Sequence, residues 1–490
     1  MKIVDRAKKK MYLLAFLILS ALPFVWYCGT TWESDADDLM TTLISIENWS
    51  FFFWGESRFG TLVPLLAKPF MDMRSNLLLQ NFIHALSLVI FIYAISQSFY
   101  RKLSNTVSRS LIFVLLILLF LTSNSVYLDL LISGLPYAAP LGIFGLSLLI
   151  ANSNLKRTLV IPITVFLIAV SCWVNPLNGF YLAPLLIVLI SLKKFRDVFY
   201  ELTLSYLLVN FGIFFIILGL ANGENGGIVF PNFQPFKVYD WWLPLVIIQI
   251  LLISRAIYRH EFRKNEITYL SFLLTWLSIF ALTTMRHIEL NSGATRYFIT
   301  ATFVSMCITM RLVEETLSAN IIVKTQVLRA VVFLSRKRVL AATLLVLSLA
   351  NVLIARNLVS DYPLKQPQKQ LLSAIYENIS EPYRFASGDF WFAWPAKLYV
   401  AQPEDIFLTS FRTENQYDIS TDSKKAIQSR FKSGDLGLCF GEIEKCKDEI
   451  REAAYRIYGS FRVEVEISDL TLITKDPILV HKLRISITSK

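Results

Sequence analysis

The chain has 490 residues, of which 54% are hydrophobic, 14% are aromatic and only 17% are charged. Its mean hydropathy of +0.52 lies outside the usual range of soluble domains, which excludes a soluble enzyme and indicates a polytopic membrane protein. The formal charge of +11 does not indicate nucleic acid as a partner, because the Lys and Arg residues fall mainly in short loops between apolar runs. The positive-inside rule explains that placement.

Apolar runs recur to about residue 355, and they predict a mainly α bundle of about eleven membrane-spanning helices over residues 1–360. The predicted spans lie near 11–29, 76–98, 107–123, 134–151, 158–174, 178–192, 198–220, 241–258, 267–284, 297–316 and 339–356. Basic groups such as Lys8-Lys9-Lys10 and Arg336-Lys337-Arg338 fall in every second loop. This alternation predicts a cytoplasmic amino terminus and, with an odd number of spans, a carboxyl-terminal segment outside.

Four carboxylates follow the first predicted span within six positions, in Glu33-Ser-Asp35-Ala-Asp37-Asp38. A carboxylate at the membrane surface can act as a general base, and a second acid nearby can raise its neighbour's pKa or bind a divalent cation. Asp37 is the first catalytic candidate, with Asp38 and Asp35 in support, and the same three are the candidate ligands of any metal. Capping of a helix that begins near Leu39 is the competing interpretation.

The rest of the first outer loop, roughly residues 30–75, predicts helices that lie along the membrane surface, because helical spacing is followed by a cluster of aromatics. Arg58 would then place a cation on the same side as the carboxylates. Arg286 and Arg296 occupy another outer loop, where they either bind a phosphate or snorkel at helix ends. His287 and Tyr137 are weaker candidates for substrate contact; for Tyr137, packing or turn formation is the alternative.

In this arrangement the chain resembles the GT-C superfamily of polytopic glycosyltransferases, which use lipid-linked sugar donors. The shared features are a cytoplasmic amino terminus, a long first outer loop, acids soon after the first span and an outer carboxyl-terminal domain. Locally it is similar to bacterial proteins related to surface-polysaccharide glucosyltransferases, with Asp37-Asp38, Trp54, Gly55 and Arg58 in the matching places. Glu56 and Ser57 depart from that pattern by separating the Gly from the Arg. The resemblance implies a polyprenyl-phosphate-sugar donor, a glycan or lipid-linked acceptor, and inverting chemistry.

Residues 361–490 are predicted to form a mixed α/β domain outside the membrane. Predicted strands lie at 384–386, 397–400, 436–440, 461–467 and 471–474, with a helix near 442–458. Trp391 and Trp394 either stack on a sugar or the membrane, or belong to the domain core. Cys439 and Cys446 are spaced for a disulfide on an oxidising side.

No phosphate-binding loop with its Lys and Ser or Thr is present, so no nucleotide cofactor is expected. The sequence therefore predicts a glycosyltransferase of the bacterial inner membrane, with membrane lipids and a lipid-linked donor as its partners. A lipid-linked polysaccharide polymerase or ligase is the nearest alternative. A transporter or flippase of lipid-linked glycans is the other.

Overall fold

A computed structural model describes part of the chain, and that part is mostly helical. The described residues are 41–42, 44–46, 49, 60–99, 137–153, 155–175, 184, 187, 242–258, 266–283, 300–301, 304–305, 307–309, 311–312, 385–388, 407–408, 436–458, 463–474 and 478–489. They divide into two compact units: residues from Asn81 to 312 form one, and residues 41–80 together with 385–489 form the other. The predicted domain boundary near residue 361 lies outside the described residues.

Before residue 300, the helices whose bounds lie in the described part are α1 (Leu62–Ala67), α2 (Met73–Phe99), α3 (Ala138–Ala151), α4 (Arg157–Val174), α5 (Trp242–Tyr258) and α6 (Glu266–Thr283). Helices α2 to α6 coincide with five of the predicted spans within a few residues. Pro162 lies inside α4 without ending it, whereas Pro140 occupies the first turn of α3, where a missing amide hydrogen costs nothing. The other six predicted spans are wholly or largely outside the described residues, so the count of eleven stays a prediction.

One helical stretch in the described part of the chain, Ser75–Ile95 within α2, is long and apolar enough to cross a membrane. The apolar helices Ala138–Ala151 and Thr158–Val174 are shorter.

Helices α2 and α3 approach closely because small residues line their contact. A methyl group added at Gly142 would overlap the Cβ of Ser87, and one added at Gly145 would lie 2.8 Å from the Cα of Phe91. The ring centroids of Phe91 and Phe144 lie 6.4 Å apart beside this contact. Glycine at both positions lets the backbones meet without a cavity.

Polar side chains join other apolar helices. Ser171 of α4 donates a hydrogen bond to the carbonyl oxygen of Pro140 in α3 at 2.7 Å. Gln249 of α5 donates to Ser305 Oγ at 2.8 Å and to Thr309 Oγ1 at 2.6 Å. These bonds satisfy polar groups that have no access to water, because Gln249, Ser305 and Thr309 are all buried.

The second unit contains a five-stranded sheet with strands β1 (Phe385–Gly388), β2 (Phe407–Leu408), β3 (Leu436–Phe440), β4 (Val463–Thr474) and β5 (Val480–Ser489). Their order is β2-β1-β3-β5-β4. Strand β1 runs parallel to β2 and β3, whereas β5 is antiparallel to β3 and β4. The helix α7 (Ile443–Tyr458) follows β3.

Helix α7 packs one apolar face on the sheet. Cys446, Ile450 and Ala454 recur every four residues, and they are buried against Val465, Leu483 and Ile485. A disulfide joins Cys439 near the end of β3 to Cys446 in α7, a pairing that the spacing of these cysteines allows. Cys172 and Cys307, the other cysteines in the described part, are buried and form no disulfide.

Two strand predictions need correction. The strands predicted at 461–467 and 471–474 are one continuous strand, β4, whose pairing with β5 is irregular between Asp469 and Thr471. A second irregularity lies between Leu472 and Thr474, so Leu470 and Ile473 have no partner in the register of this pair. Strands β2 and β5 were not predicted. The predicted strand at 436–440 and the helix near 442–458 are confirmed.

Candidate functional site

The segment that follows the carboxylate cluster is helical and enclosed by protein. Helical residues occur at 41–42 and 44–46, hereafter the 41–46 segment. Thr41, Thr42, Ile44 and Ser45 are each 0% exposed, and at 100° per residue these positions point in several directions around the helix. Protein covers these residues on more than one side, and the orientation of this helix relative to the membrane stays a prediction.

Asn76, near the start of α2, is the centre of a buried hydrogen-bond network. Its Nδ2 donates to Ser45 Oγ at 2.7 Å, to the carbonyl oxygen of Ala67 at 3.0 Å and to that of Phe70 at 2.8 Å. Its Oδ1 accepts from Gln80 Nε2 at 2.8 Å. The two amide hydrogens of Asn76 thus serve three acceptors, so one hydrogen is shared. All the hydrogen-bonding atoms of this side chain are engaged.

Ala67 is the last residue of α1 and Phe70 follows it by three positions. The carbonyl oxygen of Ala67 also accepts from the amide nitrogen of Phe70 at 2.9 Å. Ser45 Oγ donates to the carbonyl oxygen of Pro64 at 2.7 Å while it accepts from Asn76. Trp49 Nε1 donates to the carbonyl oxygen of Thr61 at 2.8 Å, just before α1. The side chains of Ser45, Trp49 and Asn76 therefore fasten three pieces of chain together, namely the 41–46 segment, α1 and the first turn of α2.

Helix α2 itself begins with a side-chain cap. The amide nitrogen of Ser75 donates to Asp72 Oδ2 at 2.8 Å, the bond expected of an Asp at the N-cap position. The carboxylate also lies at the positive end of the helix dipole. The cap fixes the residue at which α2 starts, and it thereby fixes the position of Asn76 one turn later.

A second buried polar cluster lies in the sheet region. The carboxylate of Glu449 in α7 accepts from Ser387 Oγ at 2.8 Å and from the amide nitrogen of Gly388 at 3.3 Å. Its other oxygen, Oε1, has no hydrogen-bond partner within the described ranges. Burial raises the pKa of Glu449 to about 7, and repulsion from Glu452 adds to that rise, while the bonds from Ser387 and Gly388 oppose it.

Gly388 is required where β1 ends. Its φ is +113°, a conformation that favours glycine, and an added Cβ would overlap the carbonyl oxygen of Phe440 in β3. The amide of Gly388 is therefore held at a fixed place beside Glu449. The chain continues from this strand end toward Trp391 and Trp394.

The structure places one of the predicted site residues. Tyr137 lies in the turn that starts α3 and is 5% exposed. The other predicted site residues lie outside the described residues, and their roles stay predictions: they are Asp35, Asp37, Asp38, Arg58, Arg286, His287, Arg296, Trp391 and Trp394. Within the described ranges, no group of three or more His, Cys, Asp or Glu side chains is arranged to hold a metal ion.

Buried polar residues on the apolar helices were not predicted. Asn76, Gln80 and His84 recur every four residues on α2 and are 0% exposed, so they lie along one face of the helix. Gln249 on α5 is also buried. Polar residues at a spacing of four within an apolar run were the available signal, since such a stripe indicates a face turned toward protein.

Comparisons with known proteins gave structural likenesses and no sequence match. No protein-family model matches the chain, and no curated protein sequence does. Among solved structures, the chain is similar to the archaeal oligosaccharyltransferase AglB of Archaeoglobus fulgidus, in complex with an inhibitory peptide and a dolichol-phosphate. The two chains share 12% identity with a TM-score of 0.41, over 94% of this chain and 73% of the other.

Proposed function

We propose that this protein is an integral membrane glycosyltransferase that moves a sugar from a polyprenyl-phosphate donor to a cell-surface glycan or a lipid-linked acceptor. The reaction takes place on the outer face of a bacterial inner membrane. Asp37 is the general base, supported by Asp38 and Asp35. The amino terminus is cytoplasmic, and residues 361–490 are outside with the acids.

The observation that carries this proposal is the bond between Asn76 and Ser45. Asn76 is the second residue of the helical stretch long enough to cross a membrane, Ser75–Ile95, and it donates to Ser45 Oγ at 2.7 Å. The 41–46 segment is thus fastened beside the end of that stretch. Asp38 precedes Thr41 by only two intervening residues. This supports a location of the acid pair near the membrane surface, where a lipid-linked donor presents its sugar.

The proposed chemistry needs a base and a cationic environment. Asp37 takes the proton of the acceptor hydroxyl while that oxygen forms a bond to the anomeric carbon of the donor sugar. The bond from that carbon to the phosphate oxygen breaks, and the polyprenyl phosphate leaves with the electron pair. Arg58, Arg286 and Arg296 are the proposed partners of the phosphate, because guanidinium groups bind phosphate oxygens in pairs. Trp391, Trp394, Tyr137 and His287 are proposed to contact the sugars.

Two alternative functions share the same membrane location. A lipid-linked polysaccharide polymerase or ligase would use the same acids on a longer donor. A transporter or flippase is favoured by one observation, the buried His84 on α2, because ionisable residues within membrane helices often line transport pathways.

The test compares surface glycans by mass in cells with and without the protein. We expect the deletion to remove one sugar from the glycan, and Asp37→Asn or Asp38→Asn to fail to restore it. Asp72→Asn is the matched control, because Asn caps a helix as well as Asp does and Asp72 belongs to the same loop. Unchanged glycans in the deletion strain would refute the transferase, and full restoration by both variants would refute the assigned acids.

Topology reporters provide a separate check. A reporter fused after Lys490 is expected to be active only outside the cytoplasm. A reporter that is active in the cytoplasm would place the carboxyl-terminal domain on the opposite side of the membrane from the acids and contradict the proposed orientation.

A further inference from the structure

Asn76 holds three pieces of chain at one point. It donates to Ser45 in the 41–46 segment, and it donates to Ala67 and Phe70 at the end of α1 and just after it. Its own position is set by α2, and its oxygen is held by Gln80. Because every polar atom of Asn76 is used and the side chain is buried, a shift at any of these places breaks at least one buried hydrogen bond.

The 41–46 segment has little freedom to move by itself. Thr41, Thr42, Ile44 and Ser45 are fully enclosed, and densely packed interiors resist partial displacement. Ser45 is bonded on two sides, to Pro64 and to Asn76. Replacement of Asn76 removes the hydrogen bond between this segment and α2, while the bond from Ser45 to Pro64 of α1 remains.

The acid pair is tied to this segment by the covalent chain. Three peptide steps lead from Asp38 to Thr41, so the two Cα atoms are at most about 11 Å apart. A shift of the 41–46 segment therefore moves the point at which the short connection to the acids is anchored. A general base must lie within hydrogen-bond reach of the proton that it removes, so such a shift slows the reaction.

We propose that Asn76 is a positioning residue for the transfer reaction: its hydrogen bond to Ser45 sets the place of the 41–46 segment, and thereby the reach of Asp37 and Asp38 toward the acceptor. This inference rests on the proposed function. Asn76 touches neither substrate, and its effect passes through the segment that follows the acids.

The experiment uses the full-length protein in native membranes, with polyprenyl-phosphate [14C]glucose as donor and glycan extracted from deletion cells as acceptor. Asn76→Leu removes the amide and keeps the branched arrangement of the side-chain heavy atoms, with larger terminal groups. Gln249→Met is the matched control, because it removes another buried amide that donates two hydrogen bonds between helices. Ser45→Ala is the milder variant, and it keeps the experiment informative where Asn76→Leu lowers the folded yield. Rates are divided by the amount of folded protein.

For Asn76→Leu we expect kcat to fall about 100-fold and the KM for the donor to change little, since misplacement of a base by about 1 Å has effects of that size. Ser45→Ala is expected to lower kcat about tenfold. Gln249→Met is expected to leave kcat within about twofold, because it lies on helices other than those that hold the acids' segment. Amide hydrogen exchange of residues 41–46 is expected to speed up in the first two variants alone.

Each outcome decides the inference. If kcat falls equally in Asn76→Leu and Gln249→Met, the inference is overturned, because any buried amide between helices would then have the same effect. Unchanged kcat and exchange in Asn76→Leu and Ser45→Ala would overturn the inference while transfer by the unaltered protein still supports the proposed function. If the unaltered protein transfers no sugar, both the inference about Asn76 and the proposed function are overturned.

Discussion

Glu449 and Ser387 are joined by a buried hydrogen bond of 2.8 Å that ties helix α7 to the end of strand β1. The carboxylate also accepts from the Gly388 amide, yet its burial raises its pKa to about 7 from an ordinary value of 4.5. The folded protein therefore binds a proton that the unfolded chain has lost between these two pH values.

This relationship predicts that stability falls as pH rises. Because the folded pKa is raised, the stabilising contribution of protonated Glu449 is complete below about pH 4.5 and is lost as pH rises through about 7. The difference amounts to roughly 3 kcal/mol. We expect Glu449→Gln to remove this slope, since the amide is neutral throughout. Thermal unfolding of the purified full-length protein at pH 5, 6, 7 and 8 measures it.

Glu444 on the same helix provides the control. Its hydrogen bond with Lys447 lowers the pKa of its carboxyl, so its contribution has the opposite sign and is lost only at lower pH. Glu444→Gln should therefore leave the slope between pH 5 and 8 intact. A slope that persists in Glu449→Gln would assign the pH dependence to another group.

The close approach of α2 and α3 predicts that Gly142→Ala lowers stability more than Gly145→Ala does. In Gly142→Ala the new methyl group meets the backbone and Cβ of Ser87, which no side-chain rotation relieves, whereas in Gly145→Ala the nearest atom is 2.8 Å away. We expect Gly142→Ala to destabilise by about 3 kcal/mol or more and Gly145→Ala by about 1–3 kcal/mol. Thermal unfolding in detergent measures the order, and the exposed Leu146→Ala should change little. Equal stability of Gly142→Ala and the unaltered protein would contradict the described contact.

The bonds from Gln249 to Ser305 and Thr309 predict a measurable coupling between helices. Gln249→Met and Thr309→Val are each expected to lower stability by about 1 kcal/mol, with a coupling energy of about 0.5–1.5 kcal/mol in the double variant. A double-mutant cycle of unfolding free energies gives the value. Strict additivity would show that the 2.6 Å bond to Thr309 contributes nothing to stability.

The disulfide between Cys439 and Cys446 predicts that these two cysteines react with an alkylating agent only after reduction, as expected on an oxidising side of the membrane. Denatured protein from cells should take up two additional alkyl groups after reduction compared with before it. We expect Cys446→Ser to abolish that difference and to lower stability by about 2–3 kcal/mol. Alkylation followed by mass measurement tests both points. Full alkylation without a reductant would place this part of the chain on a reducing side and contradict the proposed orientation.

Local patterns predicted much of the described secondary structure. Apolar runs predicted α2 to α6 within a few residues, because burial of a helix needs a long uninterrupted apolar stretch. The helix predicted near 442–458 corresponds to α7. Strand β5 was not predicted, since its alternation is weak until β3 and β4 supply the pairs on either side.

The buried hydrogen bonds around Asn76 and Glu449 could not be predicted in the same way, because the bonded residues are far apart in sequence. Asn76 and Ser45 are 31 residues apart, and Glu449 and Ser387 are 62 apart. The sequence around Asn76 or Glu449 does not indicate which distant carbonyl or hydroxyl group will be its hydrogen-bond partner. A polar residue in an apolar helix indicates that a partner exists, and the fold alone identifies it.

The division of the chain has a practical consequence for anyone who wishes to isolate the unit that contains the sheet. Residues 41–80 belong to the same compact unit as the five-stranded sheet, although more than 300 residues separate them from β1. A fragment that starts at residue 361 would omit this portion. Co-expression with a peptide that carries residues 28–80, or a fusion that joins the two stretches by a flexible linker, is the more faithful design.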